Sequence, residues 1–353
     1  MLMFILRRTG TMLATMVALT VIVFYMVNLP GNLEKLAKTE GNMRMTDEQV
    51  EQWLENEGFN RPFLTRYAEW LGVVPASVWV REGQPFGPGL SCLSEEEQAA
   101  LVAEGPEATT SAFCGTIQGA MGWSRVFRKP VAEVVGERLG HTGILMFWVM
   151  IVMIPMSLTI GILAGMREGT GLDRGLSVAS IATTSAPEYV TGIIFTVIFA
   201  SGLGWLKGIA KAGDVTFENF TLPVMTMALY GMGYIARLTR ASMVEVMTSH
   251  YIRTARLKGL NFRTVVLKHA LRNALITPFT VIMLQFPWLL TGVVVVEAMF
   301  NYKGFGFALI QAAGNNDIDL LLAISWVAVI VVLLTQLISD IGYAYLNPRI
   351  RVK

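Results

Sequence analysis

Runs of roughly 20 apolar residues decide what this chain can become. They fall at about 12–29, 142–165, 177–204, 221–240, 274–296 and 320–341. A helix rising about 1.5 Å per residue crosses about 30 Å of hydrocarbon with each of them. Lipid offers a bare backbone no hydrogen-bond partners, and runs of this length satisfy their own N–H and C=O groups as helices. Composition agrees: 53% of the 353 residues are hydrophobic and 15% charged, against about 25% charged in a soluble domain. The sequence predicts an all-α polytopic membrane protein with six transmembrane helices.

Net charge, +2, says little, whereas its placement says more. Arg7 and Arg8 precede the first run, and Arg167 and Arg174 follow the second. The stretch from Tyr234 to Pro278 follows the fourth, and Arg349, Arg351 and Lys353 follow the sixth. Six crossings put all four on one face, which positive residues in short loops mark as cytoplasmic. Both termini are then expected in the cytoplasm. The opposite loops mix signs, with Lys207, Lys211, Asp214 and Glu218 in one and Glu297, Lys303, Asp317 and Asp319 in another. The first run is too long for a signal-peptide core and lacks a small-residue cleavage site, so it reads as a retained span. The resulting boundaries are 1–29, amino terminus and first helix; 30–140, external loop; 141–341, five-helix core with a cytoplasmic loop at 241–273; and 342–353, cytoplasmic tail.

A connector as long as 30–140 should contain structure of its own. Thr46-Asp-Glu-Gln49 and Ser94-Glu-Glu-Glu97 are capping-box patterns, with helix stops at Gly58 and at Gly105-Pro106. Pro62 suits the first turn of a short helix over Phe63–Leu71. Gly and Pro crowd 72–91, which predicts irregular chain there. Cys92 and Cys114 share this segment, and an external location permits a disulfide between them; two unpaired thiols are the alternative.

Chemistry of other kinds is missing. His141, His250 and His269 are scattered away from the cysteines, so no metal site is expected. No Gly-x-x-x-x-Gly-Lys-Ser/Thr, Gly-x-Ser-x-Gly or His-Glu-x-x-His motif occurs, so neither bound ATP nor a hydrolase site is expected. No catalytic residue or cofactor is assigned. Glu188 follows Pro187 in the third run, where a carboxylate either lines a cavity or lies near the interface. Gly161, Gly165, Gly192, Gly231 and Gly233 suit close helix approach.

From Arg237 to Arg272 the chain carries eight Lys or Arg and one acid, Glu245. Within this stretch Tyr251–Lys258 reads as an amphipathic helix stopped by Gly259, and such a helix needs a partner. Topology and docking explain its basic residues better than nucleic acid does. Ala236-Arg237-Leu-Thr239-Arg240-Ala-Ser-Met, followed by Tyr251-Ile-Arg253-Thr254-Ala255-Arg256-Leu-Lys258-Gly259, resembles the cytoplasmic loop of ABC importer permeases. The likeness is to the dipeptide/oligopeptide (peptide/nickel/opine) family and its first-type, or B-type, permease subunit. Gly58-Phe-Asn-Arg-Pro62, Glu137-Arg-Leu139 with Thr142, Glu297-Ala-Met-Phe300, Gly304, Gly306, Asp317 and Asp340 through Arg349 extend it over most of the chain. Departures are Asn32 and Leu33 in place of Asp-Pro, Lys303 in place of Pro, Asn316 in place of Arg, Asn347 in place of Asp, Glu188, and an insertion over about 73–120.

The resemblance implies a bacterial inner-membrane importer. A second six-helix permease would pair with this chain. Two cytoplasmic ATPase subunits would drive transport, and a periplasmic binding protein would deliver solute. Tyr251, Arg253, Thr254, Ala255, Arg256, Lys258 and Gly259 would form the coupling helix. Arg253, Arg256 and Lys258 would meet acids of the ATPase cleft, with Tyr251, Ala255 and Leu257 packing against it. Peptides are the commonest cargo of the family; oligosaccharides, opines and nickel complexes also occur. A stand-alone secondary transporter or channel is the competing class.

Overall fold

The structure, a computed structural model, describes residues 2–81, 83–106 and 108–346. In chain order α1 (Leu2–Val27), α2 (Pro30–Glu40), α3 (Asp47–Asn56) and α4 (Phe63–Leu71) lead to strands β1 (Ala76–Arg81) and β2 (Gln84–Phe86). Next come α5 (Glu95–Glu104), β3 (Thr109–Ala112), the short ladder β4 (Trp123–Ser124) with β5 (Lys129–Pro130), and α6 (Val131–Met166). α7 (Gly171–Ser185) and α8 (Glu188–Phe195) come after it, α8 continuing as a π turn over Thr196–Gly202. The chain then builds α9 (Phe217–Met247), α10 (His250–Leu257), α11 (Phe262–Thr264), a second π turn over Val265–Ala270, and α12 (Leu271–Ala274). It closes with α13 (Ile276–Met299), α14 (Phe305–Gly314) and α15 (Ile318–Leu346). Residues 347–353, with Asn347, Arg349, Arg351 and Lys353, lie outside the described residues.

Among the described residues, three helical stretches are long and apolar enough to cross a membrane singly: Ile5–Val27, Val131–Met166 and Ile318–Gly342. The third apolar run, expected as one helix over 177–204, is instead α7 and α8 bent by 101°. Pro187 causes the break. It has no N–H to donate, and it holds Ala186 extended at φ −99, ψ 138. The loop expected over 241–273 takes in the end of α9, which runs on to Met247, and then α10, α11, the second π turn and α12.

The chain divides into two units, one comprising Leu13–Arg138 with Ala308–Val329, the other Met1–Met12, Leu139–Phe307 and Ile330–Lys353. In the first, both capping boxes form: Thr46 accepts from the Gln49 N–H and Ser94 from the Glu97 N–H, with the return bonds present. The stretch 72–91 is not irregular as expected. β1 is the centre of an antiparallel sheet ordered β2-β1-β3, which also amends the all-α reading. Its cause is readable in the sequence: Ala76, Val78 and Val80 alternate with Ser77, Trp79 and Arg81, and the first three are buried. The sheet packs Val78 and Val80 against Leu101 of α5. A disulfide joins Cys92 to Cys114, with Cα atoms 5.6 Å apart.

In the second unit α6 lies against α9 through two glycines one turn apart. A Cβ at Gly161 would come within 2.4 Å of Thr239 Cβ, and one at Gly165 within 2.5 Å of Met243 Cβ. Any larger residue would push the helices apart, which is the packing that small residues four apart allow. Further along α6, Leu145, Val149 and Met153 present one buried face to the core shared with α9 and α13.

Candidate functional site

α10 is held from behind. Ile252 and Ala255 are buried against Met243, Val265, Val266, Ala270 and Ala274, the hydrophobic cluster formed by the end of α9 and the returning segment. The spacing of three residues puts both on one helical face. The opposite face carries Arg253, Thr254, Arg256 and Lys258, all exposed. Among the described residues none of Arg253, Arg256 and Lys258 forms an ion pair within the chain. Gly259 ends the helix at φ +76, the left-handed region where a Cβ is penalised, and its N–H donates to Arg256 O at 3.0 Å. Two residues on, Asn261 accepts from the Thr264 N–H at 2.8 Å and starts the next helical turn. The Gly259 stop and the Asn261 start together fix the angle between α10 and α11.

One expectation about this face needs correction. Ala255 packs inward on its own chain, so it is not available to a partner. The Tyr251 hydroxyl accepts from Asn273 Nδ2 at 2.9 Å, so Tyr251 braces α10 while staying part exposed. The outward face also extends beyond the residues that the sequence pattern marks. Leu257 is 80% exposed, and Leu260, Phe262 and Leu267 are exposed beyond it. Leu260, Phe262 and Leu267 lie across the Gly259 break, where helical periodicity no longer links them to α10.

A charged clamp stands beside this region. Arg240 of α9 donates through Nη2 and Nε to the two carboxylate oxygens of Asp173, the Nη2 bond being 2.8 Å. Asp173 also accepts from the Gly169 N–H at 2.9 Å, near the amino end of α7. It is buried, and one carboxylate thus fastens the first turn of α7 to α9. Ser242 Oγ donates to Ala274 O at 2.8 Å, tying α9 to α12.

The other motif residues have structural clients. Glu297, 0% exposed, accepts from Thr142 Oγ1 and from the Phe307 N–H, and Thr142 Oγ1 accepts from the Phe305 N–H at 2.8 Å. A carboxylate and a hydroxyl thus serve the free amides and positive dipole end of α14. Gly304 must lack a side chain, because its Cβ would stand 2.1 Å from Glu297 Oε1. In the other unit, Asp317 accepts from Ser124 Oγ at 2.7 Å and the Val126 N–H at 3.1 Å. Asn316, at φ +57, donates to the backbone oxygen of Asn32 at 2.9 Å, so two departures from the family pattern meet. Glu188 is half-buried in the first turn of α8, just past the break, where the helix dipole favours a negative charge. In the sequence Glu297 and Asp317 stand only as motif letters, and nothing marks Asp173.

α10 and the clamp both lie within a stretch that a family model matches. A family model described as "Binding-protein-dependent transport system inner membrane component" matches residues 157–352. The glutathione transport system permease protein GsiC of Escherichia coli K12 is 35% identical over 237 residues, 67% of this chain and 76% of that one. The oligopeptide transport system permease protein AppB of Bacillus subtilis 168 is 28% identical over 357 residues, 98% of each chain. A solved amino acid ABC transporter with histidines aligns at TM-score 0.49 and 14% identity, covering 60% of this chain and 94% of that one. The chain belongs to the binding-protein-dependent transport system inner membrane component family. It is a multi-pass permease subunit of an ABC importer.

Proposed function

We propose that this permease forms half of the translocation path for short peptides and that α10 docks in the cleft of a separate ATPase subunit. The carrying observation is the division of α10: Ile252 and Ala255 are buried at its back, while Arg253, Arg256, Leu257 and Lys258 are exposed at its front. A helix rooted in α9 and offering a basic and apolar face can transmit motion in both directions. Arg253, Arg256 and Lys258 meet acids of the ATPase; Leu257, Leu260 and Phe262 supply apolar contact. A related six-helix permease completes the path, a second ATPase docks on it, and an extracytoplasmic binding protein delivers solute against the face carrying the 30–140 segment. The cargo is read from the relatives, one named for glutathione and one for oligopeptides; oligosaccharides, opines and nickel complexes are the alternatives.

Six crossings with both termini in the cytoplasm fit one further contact. Arg8 Nε donates to Asp340 Oδ2 at 2.5 Å, so the start of α1 lies beside the end of α15, as an even number of crossings requires. The Cys92–Cys114 bond suits an oxidising outer compartment. A stand-alone transporter fits less well, because the buried carboxylates Asp173 and Glu297 are engaged in fastening helix ends.

The test is charge reversal of the front face. Arg253→Glu with Arg256→Glu should leave the permease at normal abundance in the membrane and abolish co-purification of the ATPase. Retained ATPase at wild-type stoichiometry would overturn the docking assignment.

A further inference from the structure

α4 is built inside out for a helix in water. Its acid Glu69 is buried and bound by Arg61 Nη1 at 2.7 Å, while Leu64 is 72% exposed. Tyr67 and Trp70 fill the inner face. The Tyr67 hydroxyl pairs with Thr20 Oγ1 at 2.8 Å, and Trp70 meets the Phe24 ring at 5.4 Å and the Trp326 ring at 6.1 Å. Those partners lie well inside apolar spans. The α1 span ends at Val27 and the α15 span begins at Ile318, so Thr20 and Trp326 stand roughly 10–12 Å in from those ends at about 1.5 Å per residue. A helix resting on side chains at that depth lies at the level of the lipid interface, where Trp and Tyr collect.

The exposed apolar surface continues from the span onto this helix. Tyr25, on the exposed face of α1 with Ile22 and Met26, touches the Phe63 ring of α4 at 5.8 Å. At the other end of α4, Thr116 Oγ1 donates to Trp70 O at 3.0 Å and Gln118 Nε2 to Gly72 O at 2.9 Å. These bonds hold the turn after Cys114 against the end of α4, and Val73, Val74, Phe113 and Ile117 are exposed there.

We propose that α4 and the turn after Cys114 lie in the membrane interface, with Leu64, Val73, Phe113 and Ile117 against lipid. This segment is then a lateral foot of the external region: its charged side faces protein and its apolar side faces the leaflet at the carboxyl end of α1. The inference rests on α1 being a membrane span.

Spin-label accessibility tests it in the intact importer, reconstituted in phosphatidylethanolamine–phosphatidylglycerol vesicles. Nitroxides go singly onto Leu64→Cys, Val73→Cys and Ile117→Cys, the bonded native cysteines remaining unreactive. Ile22→Cys on α1 is the lipid control and Met43→Cys, beyond α2, the water control. The expected ratio of oxygen to water-soluble nickel-chelate collisions at all three sites is several-fold above that at Met43→Cys and close to that at Ile22→Cys. A ratio equal to the Met43→Cys value overturns the proposal in favour of water. Shielding from both reagents overturns it in favour of a covering protein subunit. A watery reading at Ile22→Cys overturns the span assignment, and the proposal with it.

Discussion

Gly259→Val should cut solute uptake roughly tenfold while the permease remains inserted and at normal abundance. Gly259 sits at φ +76 with no atom within 4 Å of where a Cβ would go, so the valine meets strain without collision. Left-handed backbone costs an L residue about 1–2 kcal/mol, more for a β-branched one, and about 1.4 kcal/mol is tenfold in an equilibrium. That strain is relieved locally, by fraying the last turn of α10 and turning Leu260 and Phe262 to a new direction. The core behind Ile252 is untouched, so the loss is one of transmission. Gly259→Asn separates this account from a simple folding defect. Asparagine tolerates the same backbone region, and uptake close to wild type is expected. Membrane uptake assays on the two variants, normalised to permease abundance, decide it; normal uptake by the valine variant contradicts the role given to this glycine.

Asp173→Ala should cause the largest loss of stability. It removes the partner of the Arg240 guanidinium and the acceptor for the Gly169 N–H in one step. Breaking a buried ion pair by deleting one partner costs about 3–5 kcal/mol, and the 32% exposure of the Arg240 side chain places this case at the lower end. Asp173→Asn keeps an acceptor for Gly169 and should recover part of the loss. Removing both charges, in Asp173→Ala with Arg240→Ala, should cost less than the sum of the two single changes, because no unpaired guanidinium remains. Thermal unfolding of the purified importer in detergent measures all four. Additive losses would show that the clamp does not couple α7 to α9.

What the sequence makes legible is local. Capping boxes at Thr46 and Ser94, the stop at Gly259 and the amphipathic face of α10 all depend on residues within a turn of each other. Legibility ends where partners are distant or signals compete. Asp173 and Arg240 are 67 residues apart, and nothing near Asp173 announces its partner. Pro187 marks a possible kink, yet the bend of 101° depends on how α8 packs afterwards, including the close approach of Gly192 to Thr226 and Met299. In β1 the alternation of Ala76, Val78 and Val80 is visible but outweighed by the surrounding glycines and prolines. Ala255 shows the limit of periodicity itself: it marks a face of α10 but not which body covers that face. Only the buried cluster with Val265 and Ala270 shows that the chain keeps Ala255 for itself.

The docking of α10 is tested most directly by cross-linking. Leu257→Cys places a thiol at the most outward apolar position of the helix, and the native cysteines are bonded to each other. With a thiol-anchored photo-cross-linker in membranes containing the assembled importer, the account predicts one adduct whose added mass is that of an ATPase subunit. Its yield should change between nucleotide-free and ATP-bound states, and the same probe on Met43→Cys should give no such adduct. An absent ATPase adduct from Leu257→Cys in an importer that still hydrolyses ATP and transports would contradict the account.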